Sequence, residues 1–447
     1  MIIKIISAVM AFVLSVLPFG NGCSSEQKCN PEFSGTFIQS WMSSTWDDER
    51  WQTEIEYMKQ AGIEYLVLQD VANKAADDTW SVYYESELPA FENAVVYPDV
   101  ITSALKNCKG TGIKVFIGLA MFDDFWTEGA ITKQYSDMCG VAADMVEEIY
   151  GKYYADYSDC FYGWYFTPEF NNVLTCQINI NGLCKGLNNI IDSINEKNES
   201  LPLLLSPFYA EYLANGPVLT LSNLVRMLNK INFRDGDIFA PQDAIGALWT
   251  SESNLERTWK MYSTAVEYAD ADLKLWANCE NFTLSFADTA LDGILTRPAT
   301  ENTMSVTTTL DRFVWQMEIA SNYVENIITF SYNHYFSPAL VNSVFVETYY
   351  DYIENGYVLE ENKPTEVKNL NKTEYENGIL IEWDAAEDDF GIAYYRIEKN
   401  GKFLGRVELC FDSEAETAYV DVSGSLTDEY SVVAYDAAGN ASSKISV

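Results

Sequence analysis

Three observations predict an α/β fold, a (β/α)8 barrel of the TIM type followed by a smaller all-β module. Between residues 34 and 358, short apolar runs of strand length alternate eight times with amphipathic segments of helical spacing. Polar or aromatic residues close nearly every one of those runs. Beyond residue 365 the helical spacing stops, and short strands with turn signals replace it. The 447 residues suit this division, a barrel of about 250 to 330 residues with a module of about 80.

The first predicted strand is Gly35-Thr-Phe-Ile-Gln-Ser-Trp41, followed by a helix from Glu49 to Ala61 that spaces Trp51, Ile55 and Met58 on one face and stops at Gly62. Ile63–Asp70 is the second strand, and a long aromatic loop (Trp80, Tyr83, Tyr84, Phe91) precedes a helix over 98–108. Ile113–Ala120 is the third strand, its loop carrying Phe122, Asp123, Asp124 and Trp126, and a long helix runs over 133–157. The fourth strand, Phe161-Tyr-Gly-Trp-Tyr-Phe-Thr-Pro-Glu-Phe170, must end at Pro168, which has no N–H for a ladder.

Strands five to eight are expected at 201–209, 237–243, 273–280 and 326–336, with helices at 181–198, 222–232, 255–270, 308–323 and 341–354. After a linker at 360–364, the runs Ile379–Trp383, Ala393–Lys399 and Tyr430–Tyr435 read as short strands, and Asn400-Gly401 as a hairpin turn. With a core Trp383 and the ending Tyr-x-Val-x-Ala-x-Asp-x-x-Gly-Asn over 430–440, residues 365–447 resemble a fibronectin type III module, which implies a spacer or packing role.

Residues 2–19 form an apolar run with one early lysine, followed by Gly20-Asn-Gly-Cys-Ser-Ser25. The expectation is an export signal over 1–22 that resembles a bacterial lipoprotein signal, with lipid on Cys23 and a tether over 23–33. The chain is then a cell-surface lipoprotein or a secreted protein, touching membrane only through that anchor. A net charge of −38 argues against nucleic acid and anionic surfaces, which reward clustered Lys and Arg. Nine cysteines with no C-x-x-C pair read as mostly small buried apolar residues, and one histidine disfavours a His-based metal site. No cofactor is predicted, no P-loop, dinucleotide or G-x-S-x-G motif stands at a strand–helix junction, and a monomer is expected.

The chemistry is expected where barrel strands end. Glu169 closes the fourth strand and Glu280 the seventh, both among aromatics, and two such carboxylates across one mouth point to glycoside hydrolysis. Gln39, Asp70, Gln242, Asp243 and His334 are candidates for sugar hydroxyls or for supporting the pair, and Trp41, Trp126 and Tyr332 for stacking on sugar rings. The placement resembles the large clan of retaining (β/α)8 glycosidases, which implies Glu169 as acid/base and Glu280 as nucleophile. Pro168 stands where that clan usually has asparagine. Residues 34–357 also resemble an uncharacterised family of bacterial glycoside-hydrolase-like barrels, on G-T-F-I-Q-S-W (35–41), G-I-E-Y-L-V-L-Q (62–69) and G-W-Y-F-T-P-E-F (163–170). The expected partner is a carbohydrate, cleaved by an enzyme or, in the alternative reading, held by a surface protein that does not cleave it.

Overall fold

The computed structural model describes residues 10, 30–123, 133–172, 180–211, 216–286, 303–339, 343–356, 360–375, 378–408 and 417–447. Cys23, Asp124, Trp126 and all of the leader but Met10 lie outside the described residues. Two compact units are present, one reaching to Glu280 with Met317–Asn333, the other comprising Asn281–Gln316 and His334–Val447.

Eight parallel strands close the barrel of the first unit: Gly35–Ile38, Tyr65–Leu68, Lys114–Gly118, Phe161–Phe166, Leu203–Leu205, Ile238–Phe239, Lys274–Glu280 and Asn326–Phe330. Each pairs with its neighbour in sequence, and the eighth pairs with the first through Gly35↔Ile328 and Thr36↔Thr329. Helices alternate with them as the sequence predicts. The helix Asp48–Gln60 starts where the Asp47 carboxylate accepts from the Arg50 N–H, and Val100–Cys108 starts where Asp99 accepts from Thr102. Lys133–Tyr157 has the predicted bounds. The helix expected over 222–232 instead spans Pro217–Leu228, because Pro217 occupies its first turn, where a fixed φ and a missing N–H cost nothing.

Side-chain parity fixes what fills the barrel. Phe37, Val67, Phe116, Tyr165, Leu204, Ile238, Ala240, Trp276 and Ile328, drawn from all eight strands, form one buried cluster. Alternate residues of a strand share a face, so these residues mark the lumen-facing set of every strand. Gly118 ends the third strand because a Cβ there would lie 2.1 Å from the Gln69 carbonyl oxygen.

Two features depart from the sequence reading. The aromatic loop after the second strand contains Ala72–Lys74, Trp80–Val82 and Val95–Val96, which join Ala120–Phe122 in a small four-stranded sheet. The eighth strand stops at Phe330, and Tyr332–Tyr335 makes a helical turn rather than prolonging it.

In the second unit, Phe282–Phe286 and Thr303–Thr307 pair as an antiparallel hairpin. Lys368–Tyr375, Gly378–Asp384 and Ala418–Asp421 make a three-stranded sheet; Ile392–Lys399, Lys402–Glu408, Tyr430–Asp436 and Ile445–Ser446 contribute to a four-stranded one. Trp383, Tyr395, Ile397, Tyr430 and Val432 lie in their common core. The predicted Asn400-Gly401 turn has φ of 51° and 75°, as a tight hairpin of this length requires.

Candidate active site

Continuing the lumen-facing parity past the apolar plug turns the lining polar. Gln39, Gln69, Thr167, Ser206, Gln242 and Asn278 come next, and Glu169 and Glu280 stand one further step along the fourth and seventh strands. The C-terminal mouth of the barrel is therefore a ring of amides and hydroxyls carrying two carboxyls.

Glu169 is carried past Pro168, where the fourth strand has left its ladder, and Thr167 Oγ1 anchors that exit by donating to the Leu119 carbonyl at 3.2 Å. The carboxyl is half-buried above Tyr165, and burial pushes its pKa up to about 7, against a hydrogen bond from the Gln242 amide that favours the ionised form. The phenol of Tyr165 is pushed well above its ordinary range by burial and then by the charges of Glu169 and Asp70, which places all three groups in one electrostatic neighbourhood. Gln242 is itself oriented: its Nε2 also donates to the Ser206 carbonyl at 3.1 Å. Ser206 Oγ in turn accepts from Asn278 Nδ2 at 3.0 Å, and Gln242 and Asn278 form a parallel bridge beyond the regular sixth strand.

Glu280 sits differently. It is the last residue of the seventh strand, paired with Phe330, and only 2% exposed. Its Oε2 accepts the Ala247 N–H at 2.7 Å. That backbone donor fixes one oxygen of the carboxyl in place. The polar chain from Glu169 through Gln242 and Asn278 thus reaches the strand that carries Glu280, two residues before it.

The remaining predicted residues divide. Trp41 is 56% exposed on the turn after the first strand, and its Nε1 donates to Gln39 Oε1 at 2.9 Å, so the indole and the amide are set as a pair. Asp70 closes the second strand; burial, then the charge of Asp123, pushes its pKa up to about 7, and Asn73 Nδ2 donates to Asp123 at 2.9 Å. Beside it Tyr83 stacks on the partly exposed Tyr97 at 5.0 Å between centroids. Asp243 is fully buried and turned to backbone donors rather than to the mouth. Tyr332 is fully buried, its hydroxyl donating to the Glu54 carboxylate, so its ring offers no stacking surface. His334 lies in the second unit, half-buried beside Tyr335, with burial lowering its pKa. Trp126 lies outside the described residues. Among the described residues no group of three or more His, Cys, Asp or Glu is arranged to hold a metal ion.

Ser206, Asn278 and the Ala247 N–H are members of the site that strand-end reading passes over. Asn278 was within reach: it is two residues before Glu280 and on the same face. The Ala247 donor is backbone, and side-chain chemistry carries no sign of it.

No curated protein matches the chain. Among solved structures, a putative alpha-L-fucosidase from Bacteroides thetaiotaomicron is 17% identical, covering 75% of this chain and 98% of its own, with a TM-score of 0.58. Chitinase ChiA74 from Bacillus thuringiensis is 11% identical over 93% of this chain and 84% of its own, with a TM-score of 0.40. An endo-beta-1,4-mannanase from Thermotoga petrophila is 10% identical over 94% and 97%, with a TM-score of 0.40. At such identities the first likeness speaks for the shared barrel fold. The profile of the domain of unknown function DUF4434 matches residues 33–342, and the chain belongs to that family.

Proposed function

We propose that this protein is a glycoside hydrolase that cleaves an extracellular polysaccharide or glycan with Glu169 as general acid/base and Glu280 as nucleophile, by a retaining route. One observation carries the reading: two glutamates stand on the lumen-facing register at the C-terminal ends of the fourth and seventh barrel strands, one raised by burial and the other met by a backbone N–H. Burial holds the Glu169 carboxyl up to about 7, so that it keeps a proton to give to a departing oxygen near neutral pH. Glu280 receives a backbone N–H, which favours the ionised form a nucleophile needs. In a retaining enzyme the two carboxyls stand about 5 to 5.5 Å apart.

Gln39, Asp70 and Gln242 supply hydroxyl contacts or support, and Trp41 the stacking surface at the mouth. The chain is proposed to be exported through residues 1–22, lipidated on Cys23 and monomeric. Residues 365–447 are proposed as a fibronectin type III-like spacer. That assignment is supported by the three-plus-four strand order, the buried Trp383 and the Tyr430 hydroxyl donating to Asp421 at 2.8 Å.

The test is hydrolysis of a panel of plant, microbial and host glycans by the exported form beside Glu169→Gln and Glu280→Gln, with folding checked by circular dichroism. Both variants are expected to lose hydrolysis, and NMR of the fresh product should show the substrate's anomeric configuration. Binding of a glycan without cleavage would replace the enzyme by a glycan-binding protein, and undiminished hydrolysis in either variant would remove that residue from the site.

A further inference from the structure

The loop after the sixth barrel strand folds back on itself before the chain leaves for its helix. Leu248 N–H donates to the Ile245 carbonyl at 3.1 Å, and the N–H groups of Trp249 and Thr250 both donate to the Ala244 carbonyl, at 2.9 and 3.0 Å. Two residues that are not glycine, Ala244 and Leu248, hold φ of 56° and 58° there. That left-handed conformation is unfavourable for residues with a Cβ and persists only where the surroundings impose it.

Asp243 sits at the root of this loop, with no exposed surface. Its Oδ1 accepts from the Ile245 N–H at 3.2 Å and from the Glu280 N–H at 3.3 Å, while its own N–H donates to the Asn278 carbonyl at 3.0 Å. One side chain therefore ties the start of the loop to the end of the seventh strand. The loop so tied brings the Ala247 N–H onto Glu280 Oε2 at 2.7 Å. Asp243 thus touches both the backbone from which Glu280 projects and the loop that carries the Ala247 donor.

We propose that Asp243 is a positioning residue for Glu280: by bridging Ile245 and Glu280 it pins the strained loop so that the Ala247 N–H holds the Glu280 carboxylate in one orientation. The catalytic consequence rests on reading Glu280 as the nucleophile; the geometric claim does not.

The Ala247 amide itself is the probe. Glycine labelled with ¹³C at the carbonyl and alanine labelled with ¹⁵N select Gly246–Ala247 and Gly129–Ala130, the two Gly-Ala steps in the chain, and Glu280→Gln identifies the first. In the wild-type protein the Ala247 amide proton is expected downfield, as for a charge-assisted bond, and to shift as Glu280 titrates. In Asp243→Ala that signature is expected to vanish, with kcat reduced about 10- to 100-fold at nearly constant KM. The acidic limb of the pH profile should move upward, since losing a donor favours the protonated carboxyl. Asp243→Asn retains an oxygen that can accept both N–H bonds and is expected to keep the signature and most of the activity.

An Ala247 amide that ignores the titration of Glu280 in the wild-type protein overturns the proposal and needs no variant to fold. So does an unchanged signature in Asp243→Ala, or an Asp243→Asn as impaired as Asp243→Ala. If the amide follows Glu280 while Glu280→Gln remains fully active on glycans, the positioning stands and the nucleophile assignment falls.

Discussion

Glu169 and Glu280 are the same amino acid on the lumen-facing register of two strands in one barrel, and their surroundings pull them apart. Glu169 comes after a proline that has broken the ladder, is half-buried, and receives a side-chain amide from Gln242 against the effect of burial. Glu280 is still within its strand, almost completely covered, and receives a backbone N–H at 2.7 Å. A side-chain donor can swing away, whereas a backbone donor is fixed by the fold. The difference teaches that two carboxyls at equivalent strand ends acquire different surroundings from where their strands end and from which donors meet them.

The sharpest way to break this comparison is to vary the leaving group. Glu169→Gln should lower kcat/KM about 10²- to 10⁴-fold on glycosides with poor leaving groups, and should largely spare aryl glycosides whose phenol departs without a proton. Glu280→Gln should abolish turnover of both kinds, as read by initial rates on matched alkyl and aryl glycosides. Equal losses in the two variants would erase the distinction.

A smaller effect concerns pH. Since burial pushes the Glu169 carboxyl up to about 7, the proposed acid predicts a kcat/KM that falls tenfold per unit above that value, and Gln242→Met should move the limb upward by removing the donor that favours ionisation. The stability effect is smaller still. A carboxyl raised in the folded state keeps a proton that the unfolded chain has already lost, so its contribution is present below the ordinary range near 4.5 and is lost as pH rises through about 7. Glu169→Gln should therefore raise the melting temperature at pH 8 by on the order of a degree or two, with no gain at pH 4. Differential scanning calorimetry at the two pH values measures this.

The barrel was legible because its signals are local. An apolar run of four to six residues with β-branched or aromatic members, followed by helical spacing, needs no long-range information, and Asp47 and Asp99 mark helix starts in the way capping chemistry dictates. Glu169 and Glu280 were legible for a related reason, as carboxyls stationed at strand ends. Asp243 occupies an equally polar strand end and faces inward to backbone donors, because two residues adjacent in sequence point to opposite sides. Tyr332 went unread as a buried residue because its partner, Glu54, is nearly 280 residues away. The small sheet that includes Trp80–Val82 was hidden for the same reason, since its pairing joins segments on either side of the third barrel strand.

The apolar plug has a consequence for traffic. Side chains from all eight strands fill the lumen beneath the mouth, so the barrel axis is no passage. Any ligand of the strand ends must therefore come and go on that face of the barrel and not through its axis.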